Sequence, residues 1–244
     1  MLLLLPLFPE AASTVAPQVD HFFIFMVSIS AAMSILIFLC IIYFAIKYRE
    51  GSKADRTLSH RSALPLEIAW TAIPFGIFLF MFAWGVRIFY KERHPPAGSV
   101  QVFVVGKQWM WKIQHPEGKR EINELHVPAG QPVKLMMTSE DVIHDFFVPA
   151  FRVKQDVVPG RYETMWFEAT KTGQYHLFCS QYCGTNHAQM KGYVTVMEPA
   201  DFQKWLASGP PTESMAATGA RLYESLNCGS CHKPGGRGPD LTGL

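Results

Sequence analysis

Cys179-Ser180-Gln181-Tyr182-Cys183-Gly184-Thr185-Asn186-His187-Ala188-Gln189-Met190 places two thiols, an imidazole and a thioether in one turn-rich segment. It lies between two short β-rich runs, Gly173 to Phe178 and Gly192 to Met197. His144 stands upstream as a further ligand. Thiolate, thioether and imidazole form a soft donor set that suits copper and does not suit magnesium or calcium. Two thiolates can bridge two ions, so the set points to a binuclear copper centre carrying one electron. A disulfide and a zinc site are the competing readings, and the terminal Met is a poor zinc ligand.

Working outward, more short β-rich runs precede the ligand segment. They are Val100 to Val105, Trp109 to Ile113, Val133 to Met137, Phe146 to Val148 and Tyr162 to Glu168. Pro-Ala-Gly at 128–130, Pro159-Gly160 and Lys171-Thr172-Gly173 punctuate them as turns. Runs at this spacing imply an antiparallel sandwich or barrel. A short helix from Pro199 to Ala207 closes it. Trp109 and Trp111 alternate along a run and share one side if that run is a strand.

The chain has 244 residues, 49% of them hydrophobic, and a formal charge of +2. That balance gives no reason to invoke nucleic acid. Mean hydropathy is only +0.09, so the apolar residues are concentrated. One concentration runs from about His21 to Ile46, uncharged and longer than the ~20 residues needed to cross a bilayer. A second runs from about Leu66 to Phe89, with Glu67 near its start, Arg87 near its end and Pro74 inside. Both read as membrane helices. Lys47, Arg49, Lys53, Arg56 and Arg61 lie between them, against Glu50 and Asp55. An excess of Lys and Arg marks the cytoplasmic side. The N-terminus and everything after the second helix then lie outside. Met1 to Pro9 is apolar but lacks the basic start of a signal peptide. Glu67 is an ionisable group at membrane depth, a costly placement that usually serves function. Cys40 lies mid-helix as a small packing or lipid-facing residue.

Beyond the β-rich region, Ser208 to Glu213 reads as a linker, and Met215 to Leu226 as a helical run. Cys228-Gly229-Ser230-Cys231-His232 follows, the attachment signal for c-type haem. Cys228 and Cys231 would form the thioethers and His232 would supply an axial nitrogen. Twelve residues follow His232, too few to wrap a haem. The tail therefore reads as the front of a cytochrome c domain. His21, His60, His94, His115, His126 and His176 read as surface or packing residues.

These segments together resemble subunit II of the haem–copper cytochrome c oxidases. The ligand stretch resembles that family's Cys-Ser-x-x-Cys-Gly-x-x-His-x-x-Met signature. Leu66 to Pro74 resembles its second-helix motif, and Gly106-Lys107-Gln108-Trp109-Met110-Trp111 its aromatic strand. Ser139 to Pro149 resembles the segment around its first copper histidine. The tail resembles the bacterial branch with a fused cytochrome c domain.

The resemblance implies a two-helix transmembrane hairpin followed by a cupredoxin-like Greek-key β-barrel. The divisions expected are an extracytoplasmic segment (1–20), the hairpin (21–91), the copper domain (92–207), a linker (208–214) and the start of a cytochrome c domain (215–244). It implies that Cys179 and Cys183 bridge two coppers. His144 and Met190 would complete one ion, and His187 and the Gln181 backbone carbonyl the other. It implies electron uptake at Trp109 and a proton-channel mouth at Glu67. Electrons would come from cytochrome c, here the fused haem domain, and pass to haem in subunit I, where oxygen is reduced. Subunit I, other oxidase subunits and a periplasmic donor are the implied partners, in a bacterial inner membrane. Many members carry Glu where this chain has Gln181, and a neutral amide is a weaker partner for magnesium.

Overall fold

The computed structural model describes residues 8–57 and 60–208, together with 219–220, 222–224, 228–232, 234–235 and 238. Met1 to Leu7 and most of Met215 to Leu226 lie outside the described residues.

Two long helices come first, α1 (Ala16–Lys47) and α2 (His60–Arg93). Both are long and apolar enough to cross a membrane. α1 begins five residues before the charge-free run. Pro17 sits in its first turn, where a missing N–H costs nothing. The helices meet through aromatic rings, Phe22 on Trp84 at 5.3 Å and Phe25 on Phe80 at 5.5 Å. Most of their other large apolar side chains, Cys40 included, face outward, as a lipid environment or a neighbouring helix requires.

Among the described residues ten strands follow: β1 (Val100–Lys107), β2 (Met110–Gln114), β3 (Arg120–Ile122), β4 (Glu124–Pro128), β5 (Pro132–Ser139), β6 (His144–Val148), β7 (Val153–Val157), β8 (Glu163–Glu168), β9 (Gly173–Cys179) and β10 (Lys191–Met197). They form two five-stranded sheets, ordered β3-β2-β1-β5-β8 and β4-β10-β9-β6-β7. β1–β5 and β4–β10 pair in parallel, and the other pairs are antiparallel. This two-sheet shell is consistent with a cupredoxin-like domain. β5 alternates strictly, burying Val133, Leu135 and Met137 in the core. The opposite sheet contributes Phe146, Val148, Leu177, Val194 and Val196. The chain crosses between sheets at Asn123, with φ 58°. A short helix, α3 (Pro199–Ala207), ends the domain.

Trp109 departs from the expected strand. It lies in the turn between β1 and β2, while Trp111 is fully buried against Phe146 at 5.1 Å. The two residues therefore do not lie on one strand. The turn is held where the Asp141 carboxylate accepts the Gln108 N–H at 2.8 Å, which ends β1 before Trp109.

The segment before α1 ties the hairpin to the domain. The Ala12 N–H donates to Ala150 O at 2.9 Å, and the Thr170 N–H donates to Ala12 O at 2.9 Å. Arg152 pairs with Asp20 at 2.8 Å, and the Trp166 indole N–H donates to Lys91 O at 2.9 Å.

Candidate metal centre

Four elements bring the donors together. β6 starts at His144 and β9 ends at Cys179. The loop after β9 carries Gln181 and Cys183. A single 3-10 turn then holds His187, and Met190 precedes β10. The loop is pinned at both ends. The Cys179 N–H donates to Met190 O at 3.1 Å, and the Ser180 hydroxyl donates to the Asp145 carboxylate at 2.6 Å. Gly184, at φ 116°, lets the chain reverse beneath Gln108 and Trp109.

The donor atoms lie in one chain of short separations. His144 Nδ1 is 3.9 Å from Cys179 Sγ, which is 3.7 Å from Cys183 Sγ. Cys183 Sγ is 3.5 Å from His187 Nδ1 and 3.8 Å from Met190 Sδ. Cys179 Sγ is 3.2 Å from the Gln181 carbonyl oxygen. A disulfide would need sulfurs at about 2.05 Å, so these thiols are not joined. Atoms sharing a metal at bonds of about 2.0–2.3 Å fall at separations of this kind. The two sulfurs occupy the middle, with a His and a second donor to each side. This soft donor set is consistent with a copper site.

His144, Cys179, Cys183 and Met190 are all buried, and His187 is half-buried. The His144 ring is oriented by Asp141, whose carboxylate accepts from Nε2 at 2.8 Å and leaves Nδ1 free toward the sulfurs. Burial would raise the Asp141 carboxyl. Hydrogen bonds from the Gln108 N–H, His144 and the Val142 N–H outweigh it and hold the group below its ordinary value. Burial and the adjacent Cys179 sulfur push the Cys183 thiol up to about 12. Burial would also raise Cys179, but contacts with His144 and with backbone groups hold it below its ordinary value. Two neighbouring thiolates thus need a compensating positive charge, which a bound metal ion supplies.

Gly106 is a site residue that the spacing of donors could not reveal. A Cβ there would lie 2.9 Å from His144 Cδ2 and 3.2 Å from Trp111 Cζ3. β1 can pass over the His144 ring only without a side chain. Trp109 lies over the loop, its indole N–H 3.3 Å from Cys183 O, and Gln108 Nε2 donates to the same oxygen at 2.8 Å. Tyr182, 74% exposed, has its ring 5.7 Å from that of His187.

Residues 3–88 match the family model for the transmembrane domain of cytochrome c oxidase subunit II, and residues 119–197 match the model for its periplasmic domain. The chain is 33% identical to cytochrome c oxidase subunit 2 of Thermostichus vulcanus, over 82% of this chain and 77% of that one. The chain belongs to the cytochrome c oxidase subunit II family. It is therefore a component of an oxidoreductase. Subunit 2 of Synechocystis sp. is 31% identical over 87% of this chain and 79% of that one. The periplasmic domain of subunit II from Bradyrhizobium japonicum is 33% identical, covering 46% of this chain and 94% of that chain at a TM-score of 0.45. Members of this family are electron-transfer subunits, and the His144–Cys179–Cys183 group is this member's candidate metal site.

The remaining expected residues lie apart from it. Glu67 sits on the loop-proximal part of α2 with its side chain exposed. Cys228 opens a 3-10 turn at Cys228–Ser230, and the His232 N–H donates back to Cys228 O at 2.9 Å. Neither family match extends past residue 197. A second group, Glu121, Glu124 and His126, lies on β3 and β4.

Proposed function

We propose that this chain is the electron-accepting subunit of a cytochrome c oxidase, holding a binuclear copper centre on the outer side of a bacterial inner membrane. The observation that carries the reading is the central pair of unjoined sulfurs 3.7 Å apart, with imidazole, thioether and carbonyl donors around them. Cys179 and Cys183 would hold both ions. His144 and Met190 would complete one, and His187 and the Gln181 carbonyl the other. When bound, the copper pair supplies a one-electron carrier. The protein's part is to bury the donors and fix their positions, so that little moves when charge changes. Asp141 holds the His144 ring, and Ser180 and Asp145 hold the loop. Trp109 offers a π-surface hydrogen-bonded to the ligand loop, suited to uptake from a docked cytochrome c. Electrons then leave for haem in subunit I, which reduces oxygen.

The proposal extends to three further positions. Cys228, Cys231 and His232 would carry haem c, the two thiols as thioethers and the imidazole as axial ligand. Their turn brings both thiols onto one short segment at 228–231, as attachment requires. Residues 215–244 would then begin a fused cytochrome c domain. Glu67 would mark the mouth of a proton channel in subunit I. Gln181 offers a hard dication only an amide, so magnesium is not assigned to its side chain.

The test is an EPR and optical spectrum of the purified oxidase beside its Cys183→Ser variant. We expect a mixed-valence dicopper signal in the parent and none in the variant, with the β-domain still folded. A hydroxyl cannot replace a bridging thiolate. A variant that keeps the shared-spin signal would refute the bridging role.

A further inference from the structure

A cavity of about 310 Å³ opens where the hairpin meets the β-domain. Its apolar walls come from both membrane helices, at Phe22 of α1 and at Gly85 and Ile88 of α2. Its polar rim is Glu92, at the outward end of α2, with Arg152 and Lys154 of the β-domain. The volume falls within the range of about 300–1,000 Å³ common for small-molecule sites. None of these residues belongs to the metal centre or the haem motif.

The charges on the rim are unusual. Glu92 and Lys154 line the same cavity yet form no ion pair. Among the described residues neither side chain is in a salt bridge, and the Lys154 ammonium stands 5.9 Å over the Phe147 ring. Arg152 is held beside them by its pair with Asp20. One anion and one cation, not bridged to each other, therefore line a space whose floor is apolar. A free phosphate would leave that floor unused, and a purely anionic amphiphile would meet the Glu92 carboxylate. A second apolar cavity of about 260 Å³ lies deeper between the same helices, lined by Ile29, Met33 and Ile77 among others. Phe22 and Ile29 are separated by roughly 10 Å along a helix rising 1.5 Å per residue. An acyl chain descending from the first cavity would run toward the second.

We propose that this cleft binds a phospholipid bearing a primary ammonium and a phosphodiester, of the phosphatidylethanolamine class. The ammonium would pair with Glu92, and the phosphodiester with Lys154 and the edge of Arg152. The acyl chains would lie on Phe22 and Ile88. The lipid thereby fills the joint that fixes the β-domain over the hairpin. A choline headgroup has no N–H to donate to Glu92, and a glycerol headgroup has no cation for it.

The test uses the intact oxidase, stripped of lipid in detergent and placed in nanodiscs of equal phosphatidylethanolamine, phosphatidylcholine and phosphatidylglycerol. After extraction, bound lipids are counted by native mass spectrometry. The parent should retain phosphatidylethanolamine over the other two by about tenfold, the ratio supplied by one charge-assisted contact. Glu92→Gln should lose the preference over phosphatidylcholine, and Lys154→Ala should lose bound phosphatidylethanolamine by a similar factor. Retention without headgroup preference in the parent, or a preference unchanged in both variants, would overturn the proposal. So would loss of partner subunits from either variant with the lipid preference intact, which would assign the cleft to subunit packing.

Discussion

His144 shows how a candidate ligand is positioned by residues outside the donor set. Its ring is gripped from one side by the Asp141 carboxylate and overlain from the other by β1 at Gly106. Adding a methyl at Gly106 forces a carbon to 2.9 Å from the ring, closer than real side-chain carbons approach. The ring can yield only by leaving Asp141 or the sulfurs. We expect Gly106→Ala to cost about 1–3 kcal/mol of stability, as small overpacking does, and to alter the EPR line shape of the copper-loaded protein. An unchanged spectrum would mean that His144 does not depend on this contact. The donors themselves were legible in the sequence because Cys179, Cys183, His187 and Met190 sit within twelve residues of softly ligating chemistry. Gly106 and Asp141 were not, because their roles arise from a strand and a loop that only the fold brings onto His144.

At the scale of elements, the junction of β3, β4 and α3 gathers a buried charge. Glu121 accepts from His115 Nε2 at 2.8 Å and contacts His126 Nδ1, and the His126 ring stacks on Trp205 at 4.4 Å. Glu124 lies nearby, and Lys119 caps the Trp205 face at 3.9 Å. Burial would raise the Glu121 carboxyl, but its hydrogen bonds to the two histidines prevail and hold it below its ordinary 4.5. Ionised Glu121 therefore stabilises the fold above that value, and the support is lost as pH falls below 4.5 through the depressed folded value. Glu121→Gln should flatten the stability–pH curve in that acid window, measured by thermal melts of the solubilised protein. A curve parallel to the parent's would remove Glu121 from this role. Nearby, a Cβ on Gly192 would fall 2.0 Å from the Asn123 carbonyl oxygen, which accepts the Tyr193 N–H at 2.9 Å. Backbone cannot give way as a side chain does. We expect Gly192→Ala to destabilise the domain by about 3 kcal/mol, seen as a lowered denaturant midpoint at unchanged slope. An unchanged midpoint would show that β4 and β10 can separate freely there.

The elements also explain which strands sequence reading caught. β5 and β10 alternate apolar and polar residues because one face of each is buried. β3, β4 and β7 escaped it. β3 and β7 are edge strands with charged or polar interiors, Arg120-Glu121 and Lys154-Gln155-Asp156, and β4 ends at a proline on the other edge. Edges carry such residues to discourage further pairing, and that erases the periodic signal. Trp109 misled in the opposite sense: its alternation with Trp111 is real, but the turn held by Asp141 takes it out of the strand.

At the scale of the whole molecule, the two membrane helices and the β-domain are joined by specific ties. Ala12, Asp20 and Lys91 each bond to the domain, at Ala150, Arg152 and Trp166. A metal centre held over a membrane partner needs such ties, since its distance from the next carrier is set by the domain's seat. The tail poses the corresponding question at the other end. α3 is fastened where the Lys119 ammonium donates to Ser208 O at 3.0 Å, so the chain leaves the domain from a fixed point. Cys228 and Cys231 then lie close together on one short turn. If that turn attaches haem, the native protein must carry a covalent haem on the peptide spanning Cys228 to His232. Tryptic mass spectrometry of the oxidase from its native membrane should find that peptide with a haem adduct, together with the absorption of a c-type haem after denaturation. Cys228→Ser with Cys231→Ser should remove the adduct and leave the dicopper spectrum intact, because the two sites share no residue. An unmodified peptide with two free thiols in the native enzyme would exclude the fused-cytochrome reading while leaving the copper centre untouched.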